Sequence, residues 1–125
     1  MEFKINSVTW FEIPVNDMGR AKKFYESVFG KPMTVQTKGA VEMALFPKQD
    51  NAYGAGGSLI KVAGYKPSRD GTLVYFPVET IEPVLEKVHA ASGKTLKEKM
   101  AIGEYGFIAH FEDSEGNRLG LHQWK

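Results

Sequence analysis

The chain contains no cysteine, no long apolar run and no marked excess of charge of either sign. The absence of cysteine excludes disulfide bonds, thiolate catalysis and cysteine-based zinc sites. No apolar run approaches the roughly 20 residues of a membrane-spanning helix. A net charge of +1 gives no electrostatic case for binding nucleic acid or an anionic membrane. The first residues lack the apolar segment of a signal peptide, so we expect a cytoplasmic protein.

The overall composition is typical of a globular protein. Hydrophobic residues make up 42% of the chain and charged residues 25%, which are ordinary proportions. A chain of 125 residues is long enough to bury one sizeable core. We therefore expect a single domain over residues 1–125.

The secondary-structure signals occur twice in the same order. In the first half they predict a strand at residues 7–15, a helix from the Asn16-Asp17 cap to Gly30, and strands near 33–37, 40–47 and 57–62. In the second half they predict a strand at 73–78, a helix from the Thr80 cap to Gly93, and strands near 94–99, 104–112 and 118–124. Each half is thus expected to form a βαβββ unit in an α+β fold.

An offset of 63 positions aligns the two halves. Identical residues at this offset are Thr9 and Thr72, Pro14 and Pro77, Val15 and Val78, Gly30 and Gly93, Lys31 and Lys94, Asp50 and Asp113, and Gly57 and Gly120. These matches fall at strand ends, at the helix stop and in turns. We therefore predict two copies of one unit, at about residues 1–62 and 64–125.

The stretch SVTWFEIPV, residues 7–15, carries a carboxylate inside an apolar strand pattern. Phe11, Ile13 and Val15 share one face of this strand and are expected to pack on the helix. Trp10 and Glu12 share the opposite face. An unpartnered, fully buried carboxylate costs several kcal/mol, so we expect Glu12 to face a wet cavity or a polar partner.

Three stretches of the sequence resemble the vicinal oxygen chelate superfamily. They are WFEIPVNDMGRAKKFYESVFGKP (residues 10–32), VYFPVETIEPVLEKV (74–88) and FEDSEGNRLGLHQW (111–124). The superfamily includes glyoxalase I, bleomycin and fosfomycin resistance proteins and extradiol dioxygenases, and the chain looks closest to small proteins related to lactoylglutathione lyase. The resemblance implies two βαβββ modules with mixed sheets curled around a cavity and helices outside. It also implies a homodimer, with modules paired either between chains or within one chain.

The resemblance further implies where a divalent metal would be held. The four ligand positions carry over to Trp10, Gly57, Leu73 and Gly120, and the offset of 63 residues supports this assignment. None of these side chains can bind a metal, so no metal cofactor is predicted. Trp10 would replace a ligand with an aromatic wall.

Strand alternation predicts which polar side chains share the cavity. Tyr75 lies on the face of Leu73, and His122 on the face of Gly120. Glu12 is a candidate general base, with His122 and Tyr75 as its polar partners. Two alternatives stay open: a structural hydrogen-bond network lining a vestigial pocket, and a relocated metal site using Glu12 and His122.

Two further candidates for a functional role lie in the loop before the fourth strand and at a lone histidine. Tyr53, in the glycine-containing stretch NAYGAGGSLI, could close over a ligand. A structural role is favoured for His110. The predicted substrate-binding residues are Trp10, Glu12, Leu73, Tyr75, Tyr53, Gly120 and His122.

Three classes of function follow. The first is a glyoxalase-like lyase, isomerase or dioxygenase relative that acts on a small organic molecule without the usual metal. The second is a non-catalytic binding protein of the bleomycin-resistance type, for which an apolar pocket is suited. The third, a purely structural or partner-binding domain, has no specific support in the sequence.

Overall fold

The computed structural model describes residues 6–125 and shows the same sequence of elements twice. The first module contains β1 (Trp10–Pro14), α1 (Met18–Phe29), β2 (Thr34–Lys38), β3 (Val41–Leu45) and β4 (Gly56–Lys61). The second contains β5 (Tyr75–Pro77), α2 (Ile81–Ala90), β6 (Lys94–Ala101), β7 (Phe107–Glu112) and β8 (Arg118–Gln123), with a short 3₁₀ turn at Gly103–Tyr105. The βαβββ prediction is confirmed for these residues. The first five residues of the predicted repeat lie outside the described part of the chain.

Each module forms one four-stranded mixed sheet. The strand orders are β1-β4-β3-β2 and β5-β8-β7-β6. In both sheets the first strand pairs parallel with the last, and the other pairs are antiparallel. The predicted α+β class is confirmed, and the two sheets do not close into one barrel. Within residues 6–125, neither helix is long and apolar enough to cross a bilayer.

The helix ends follow local sequence signals with two exceptions. Thr80 precedes α2 as predicted, but its side chain makes no capping bond, and the Ile81 N–H donates to Gln123 Oε1 at 2.9 Å instead. The Asp17 side chain accepts a hydrogen bond of 2.9 Å from the Arg20 backbone N–H, as expected of an N-cap. Gly30 ends α1 in the left-handed region, at φ 70°. The second helix was expected to run to Gly93, but it ends at Ala90. A Cβ at Gly93 would lie 2.6 Å from the Glu112 carbonyl oxygen, so this glycine serves a close backbone approach.

One cluster of buried side chains joins both modules. Ile13 and Val15 are buried, and Phe11 packs partly buried against them, as the alternation predicted. The rings of Phe24, on α1, and Phe111, on β7, stack with centroids 6.2 Å apart. Because apolar burial stabilises in proportion to area, each module depends on the other for part of its core. The prediction of a single domain over residues 1–125 stays a prediction.

The turn between β7 and β8 holds the first module in place. The buried Tyr25 hydroxyl donates to Asp113 Oδ2 at 2.6 Å. The Asn117 amide donates to the Pro14 carbonyl oxygen at 2.8 Å and to Asp113 Oδ2 at 3.0 Å. Burial raises the pKa of Asp113, although the hydrogen bonds from Tyr25 and Asn117 oppose that rise. These bonds hold the end of β1 beside the start of β8.

Glu115, in the same turn, receives donors from the start of α1. Its carboxylate accepts backbone N–H bonds from Asn16 and Asp17, both at 2.9 Å. It also binds the Arg20 guanidinium at 2.7 and 3.0 Å. Burial raises the pKa of Glu115, but the bonds from Arg20 and from the two N–H groups outweigh it and lower the pKa to about 2. The turn is thus tied to α1 by a charged contact.

Candidate functional site

A groove of about 740 Å³ lies between β1, the segment leading into β5 and the start of β8. We call it the central groove. It contains four of the predicted substrate-binding residues, Trp10, Glu12, Leu73 and Tyr75. Its volume lies within the range of small-molecule sites, roughly 300–1,000 Å³. Trp10 and Tyr75 are 41% and 42% exposed, which leaves both rings accessible to a ligand.

Glu12 is exposed on the strand face that carries Trp10. Its carboxylate has no hydrogen-bond or ion-pair partner among residues 6–125. Its cross-strand neighbour is Ser58, whose buried hydroxyl also has no partner within the described chain. The expectation of a wet location for Glu12 is therefore confirmed. An unpaired carboxylate in a groove is free to accept a proton or to bind a donor.

Residues of β5, β7 and β8 form a hydrogen-bonded series of three side chains at this groove. The Tyr75 hydroxyl lies 2.8 Å from His110 Nε2. His110 Nδ1 lies 3.0 Å from Arg118 Nη1. His110 itself is buried, at 8% exposure, whereas Tyr75 and Arg118 line the central groove. Burial lowers the pKa of His110, and the charges of Arg118 and Lys97 lower it further.

The Tyr75 ring packs directly on Gly120, which has no side chain to block it. The two residues are direct partners in the parallel β5–β8 pair. A Cβ at Gly120 would lie 2.4 Å from the ring of Tyr75, far inside contact distance. Only a glycine lets the ring lie across β8. The antiparallel partner of Gly120 on the other side is His110, so the missing side chain also lets Tyr75 reach this histidine.

Two predicted site residues lie away from Glu12 within this chain. His122 Nε2 is 2.7 Å from the Tyr105 carbonyl oxygen, and its ring meets the edge of Trp124. Tyr53 is fully exposed and borders a second groove of about 880 Å³. We call this the aromatic groove, because its walls include Phe29, Phe46 and Phe76. Neither His122 nor Tyr53 lines the central groove.

The strand register corrects one of the four positions that the resemblance implied. Val15 N–H bonds to the Ile60 carbonyl oxygen, and Val78 N–H bonds to that of His122, both at 2.9 Å. The first strands of the two modules are thus offset by 63 residues, but the last strands by 62. The counterpart of Gly120 is therefore Ser58, and the assignment of Gly57 is wrong. Gly57 instead lies on the core face, where a Cβ would meet the Phe11 ring at 2.4 Å.

The side chains at the corrected positions do not fit a divalent cation. They are indole, hydroxyl, isobutyl and hydrogen, at Trp10, Ser58, Leu73 and Gly120. A neutral serine hydroxyl is the only oxygen in this set, whereas catalytic zinc typically has three protein ligands. Among the described residues, no three His, Asp or Glu side chains are grouped so that they could hold a metal.

His110 and Arg118 are functional candidates that the sequence analysis did not select. One signal could have found them. The residues on either side of the 113–117 turn pair in order, with Glu112 opposite Arg118 and His110 opposite Gly120. Counting outward from the turn places His110 on the face of Gly120, and therefore beside Tyr75.

Comparisons with known proteins agree with this architecture. Over 114 residues the chain is 28% identical to a glyoxylase-like domain-containing protein of Didymella fabae, with 88% of each chain covered. It is 24% identical to the putative glyoxylase CFP32 of Mycobacterium tuberculosis, with 98% of this chain covered but only 47% of that protein. The chain thus spans about half of this second relative.

A solved structure shows the same fold over the full length. TnmS3, an antibiotic binding protein from Streptomyces sp. CB03234, has a TM-score of 0.68 at 23% identity, covering 99% of this chain and 100% of that one. The model of the Glyoxalase/Bleomycin resistance protein/Dioxygenase superfamily matches residues 4–121. This chain belongs to that superfamily.

Proposed function

We propose that the chain binds a small organic molecule in the central groove and acts on it by acid–base chemistry at Glu12, without a divalent metal. The observation that carries the proposal is the exposed, unpaired Glu12 carboxylate in the same groove as Trp10 and Tyr75. Two relatives are named as glyoxylases or glyoxylase-like proteins, which supports an enzyme.

An exposed, unpaired carboxylate can remove a proton from a carbon next to a carbonyl group. The C–H proton passes to the Glu12 carboxylate, the electron pair of that bond forms a C=C bond, and the π pair of the carbonyl group moves to its oxygen. Transfer of that proton from Glu12 to this oxygen gives the enol, which is an isomer of the substrate, and restores the carboxylate with no net change in atoms or electrons. Glu12 is the base, and Trp10 and Leu73 hold the apolar part of the substrate.

Exchange of the carbon-bound proton tests this role without a known substrate. We would incubate 2-hydroxyacetophenone with the protein in D₂O and follow loss of the methylene signal by proton NMR. Glu12→Gln should lower the protein-dependent rate by about 10²-fold or more and leave the melting temperature unchanged. The exposed Glu98→Gln is the matched control. Unchanged exchange in Glu12→Gln would remove the catalytic role.

A second candidate function is stoichiometric binding of an aromatic molecule. The apolar walls Trp10 and Leu73 and the likeness to an antibiotic binding protein favour it. It predicts saturable quenching of tryptophan fluorescence and full recovery of the unchanged ligand. Recovery of a chemically altered molecule would favour the enzyme instead.

We also propose a homodimer that completes the site. The sheets do not close within one chain, and Trp10, Tyr75 and Trp124 are 41%, 42% and 67% exposed. Pairing between chains would bring the partner's face against Glu12 and give His122 a route into the site. Sedimentation-equilibrium measurement over micromolar concentrations should give twice the chain mass. A monomer throughout would exclude a shared site. The cytoplasmic location stays a prediction.

A further inference from the structure

We propose that Tyr75 and Arg118 bind an anionic oxygen of the ligand, with His110 as their positioning residue. The ligand class that follows is an aromatic compound bearing a carboxylate. This inference rests on the proposed function only in using the same groove. It adds a prediction of which end of the ligand contacts which residues of the groove.

The protonation state of His110 follows from its two neighbours. Arg118 Nη1 can only donate a hydrogen bond, so His110 Nδ1, 3.0 Å away, must accept. The ring proton of the neutral imidazole is then on Nε2, which donates to the Tyr75 oxygen at 2.8 Å. The phenolic hydrogen of Tyr75 is not used in that bond. It remains available to a ligand in the central groove.

Arg118 retains donors for the same ligand. Within the described chain its guanidinium forms no ion pair. Its cross-strand partner Glu112 pairs with Arg69 instead. The guanidinium has five N–H donors, and the hydrogen bond from Nη1 to His110 uses one of them. Tyr75 and Arg118 therefore present donors and one positive charge to the groove, which is the chemistry that holds a carboxylate.

The position of Glu12 sets the orientation of such a ligand. Glu12 is on β1, whereas Tyr75 is on β5 and Arg118 on β8, and the groove is also lined by Lys66 and Asp70. A ligand carboxylate near Glu12 would be repelled, and near Arg118 it would be attracted. The anionic end should therefore lie against β8. The aromatic body would then rest on Trp10 and Leu73, with the remainder of the ligand towards Glu12.

The test compares benzoate with benzamide, which has nearly the same shape and no charge. Binding is followed by chemical shift titration of the ¹⁵N-labelled protein. Benzoate should bind more tightly than benzamide. Arg118→Met should raise the dissociation constant for benzoate by roughly tenfold or more, and Tyr75→Phe several-fold. Lys97→Met, which removes a cation across the strand from His110 and outside the groove, is the matched control and should change little.

Two further readouts separate a binding site from a merely structural network. Long-range ¹H–¹⁵N spectra should show His110 protonated at Nε2, and His110→Phe should weaken benzoate binding while the protein stays folded by circular dichroism. Equal binding of benzamide, unchanged affinity in Arg118→Met, or a proton on Nδ1 would each overturn the inference.

Glu12→Gln distinguishes this inference from the proposed function. Removing the carboxylate should leave benzoate affinity unchanged or higher, while proton exchange is lost. Arg118-dependent benzoate binding without any proton exchange would uphold the anion site and remove the catalytic proposal. The opposite result is also possible. If proton exchange were lost in Glu12→Gln but unaffected in Arg118→Met, and benzoate showed no saturable binding, the catalytic proposal would stand and the anion site would be excluded.

Discussion

Glu115 should make the stability of this protein depend on pH over an acidic range. Its pKa falls from the usual 4.5 to about 2 because Arg20 and two backbone N–H groups bind the charged form. The folded state thus favours the carboxylate, and the resulting stability is fully present above about pH 5. It is lost as the pH falls towards 2. At about 1.4 kcal/mol per pKa unit, the contribution is about 3 kcal/mol.

The variant Glu115→Gln isolates this contribution, because glutamine imitates the neutral acid. Urea unfolding at pH 7, 5 and 3 gives the free energy of unfolding of both proteins. The variant should be less stable by about 3 kcal/mol at pH 7, and the difference should shrink as the pH approaches 2. Asp113, whose raised pKa acts in the opposite direction, is present in both proteins, so both stability curves contain its titration.

The exposed Glu98→Gln serves as control and should differ from the wild type by less than about 0.5 kcal/mol at every pH. A gap between Glu115→Gln and the wild type that stays constant from pH 7 to pH 3 would refute the reasoning. It would mean that the contact stabilises by its shape and its neutral hydrogen bonds, not by its charge.

Three further predictions concern the packing of Tyr75 on Gly120, the Tyr25–Asp113 hydrogen bond in the core, and the metal content of the protein. Gly120→Ala should displace the Tyr75 ring, because the added Cβ would lie 2.4 Å from it; loss of nuclear Overhauser contacts between Tyr75 and His110 would show this, and intact contacts would contradict it. Tyr25→Phe should lower the free energy of unfolding, measured in urea, by about 1–3 kcal/mol, because the buried Asp113 loses its donor at 2.6 Å. A loss below about 0.5 kcal/mol would mean that this hydrogen bond contributes little to stability. Elemental analysis of untagged protein should find almost no metal, and zinc, nickel, iron and manganese should leave the melting temperature unchanged; a stoichiometric metal would place ligands elsewhere in the chain.

The module architecture could be predicted because its signals are local. Asp17 and Gly30 mark the ends of α1 by cap chemistry. The alternation in β1 separates Phe11 from Glu12 without any knowledge of the partner strand. The end of α2 was misplaced at Gly93. A glycine is needed there because the β7 backbone lies too close for a Cβ, and this tertiary contact is not visible in the local sequence.

The site was only partly predictable because it depends on strand pairing. Trp10 and Tyr75 could be placed by alternation within single strands. Gly57 was misassigned because a change of one residue in the offset moves a side chain to the other face of a sheet. His110 was missed because its face is defined by the register of the β7–β8 hairpin, which brings it opposite Gly120.

The offset of 63 residues makes Glu12 and Tyr75 the same position of the duplicated unit. In one copy this position holds a proton acceptor and in the other a hydroxyl donor, and both open onto one groove. An exact duplication would have given two like groups and a site indifferent to which way a ligand entered. The two modules therefore present chemically different groups from equivalent backbone positions, so a ligand that contacted both would meet different chemistry at its two ends.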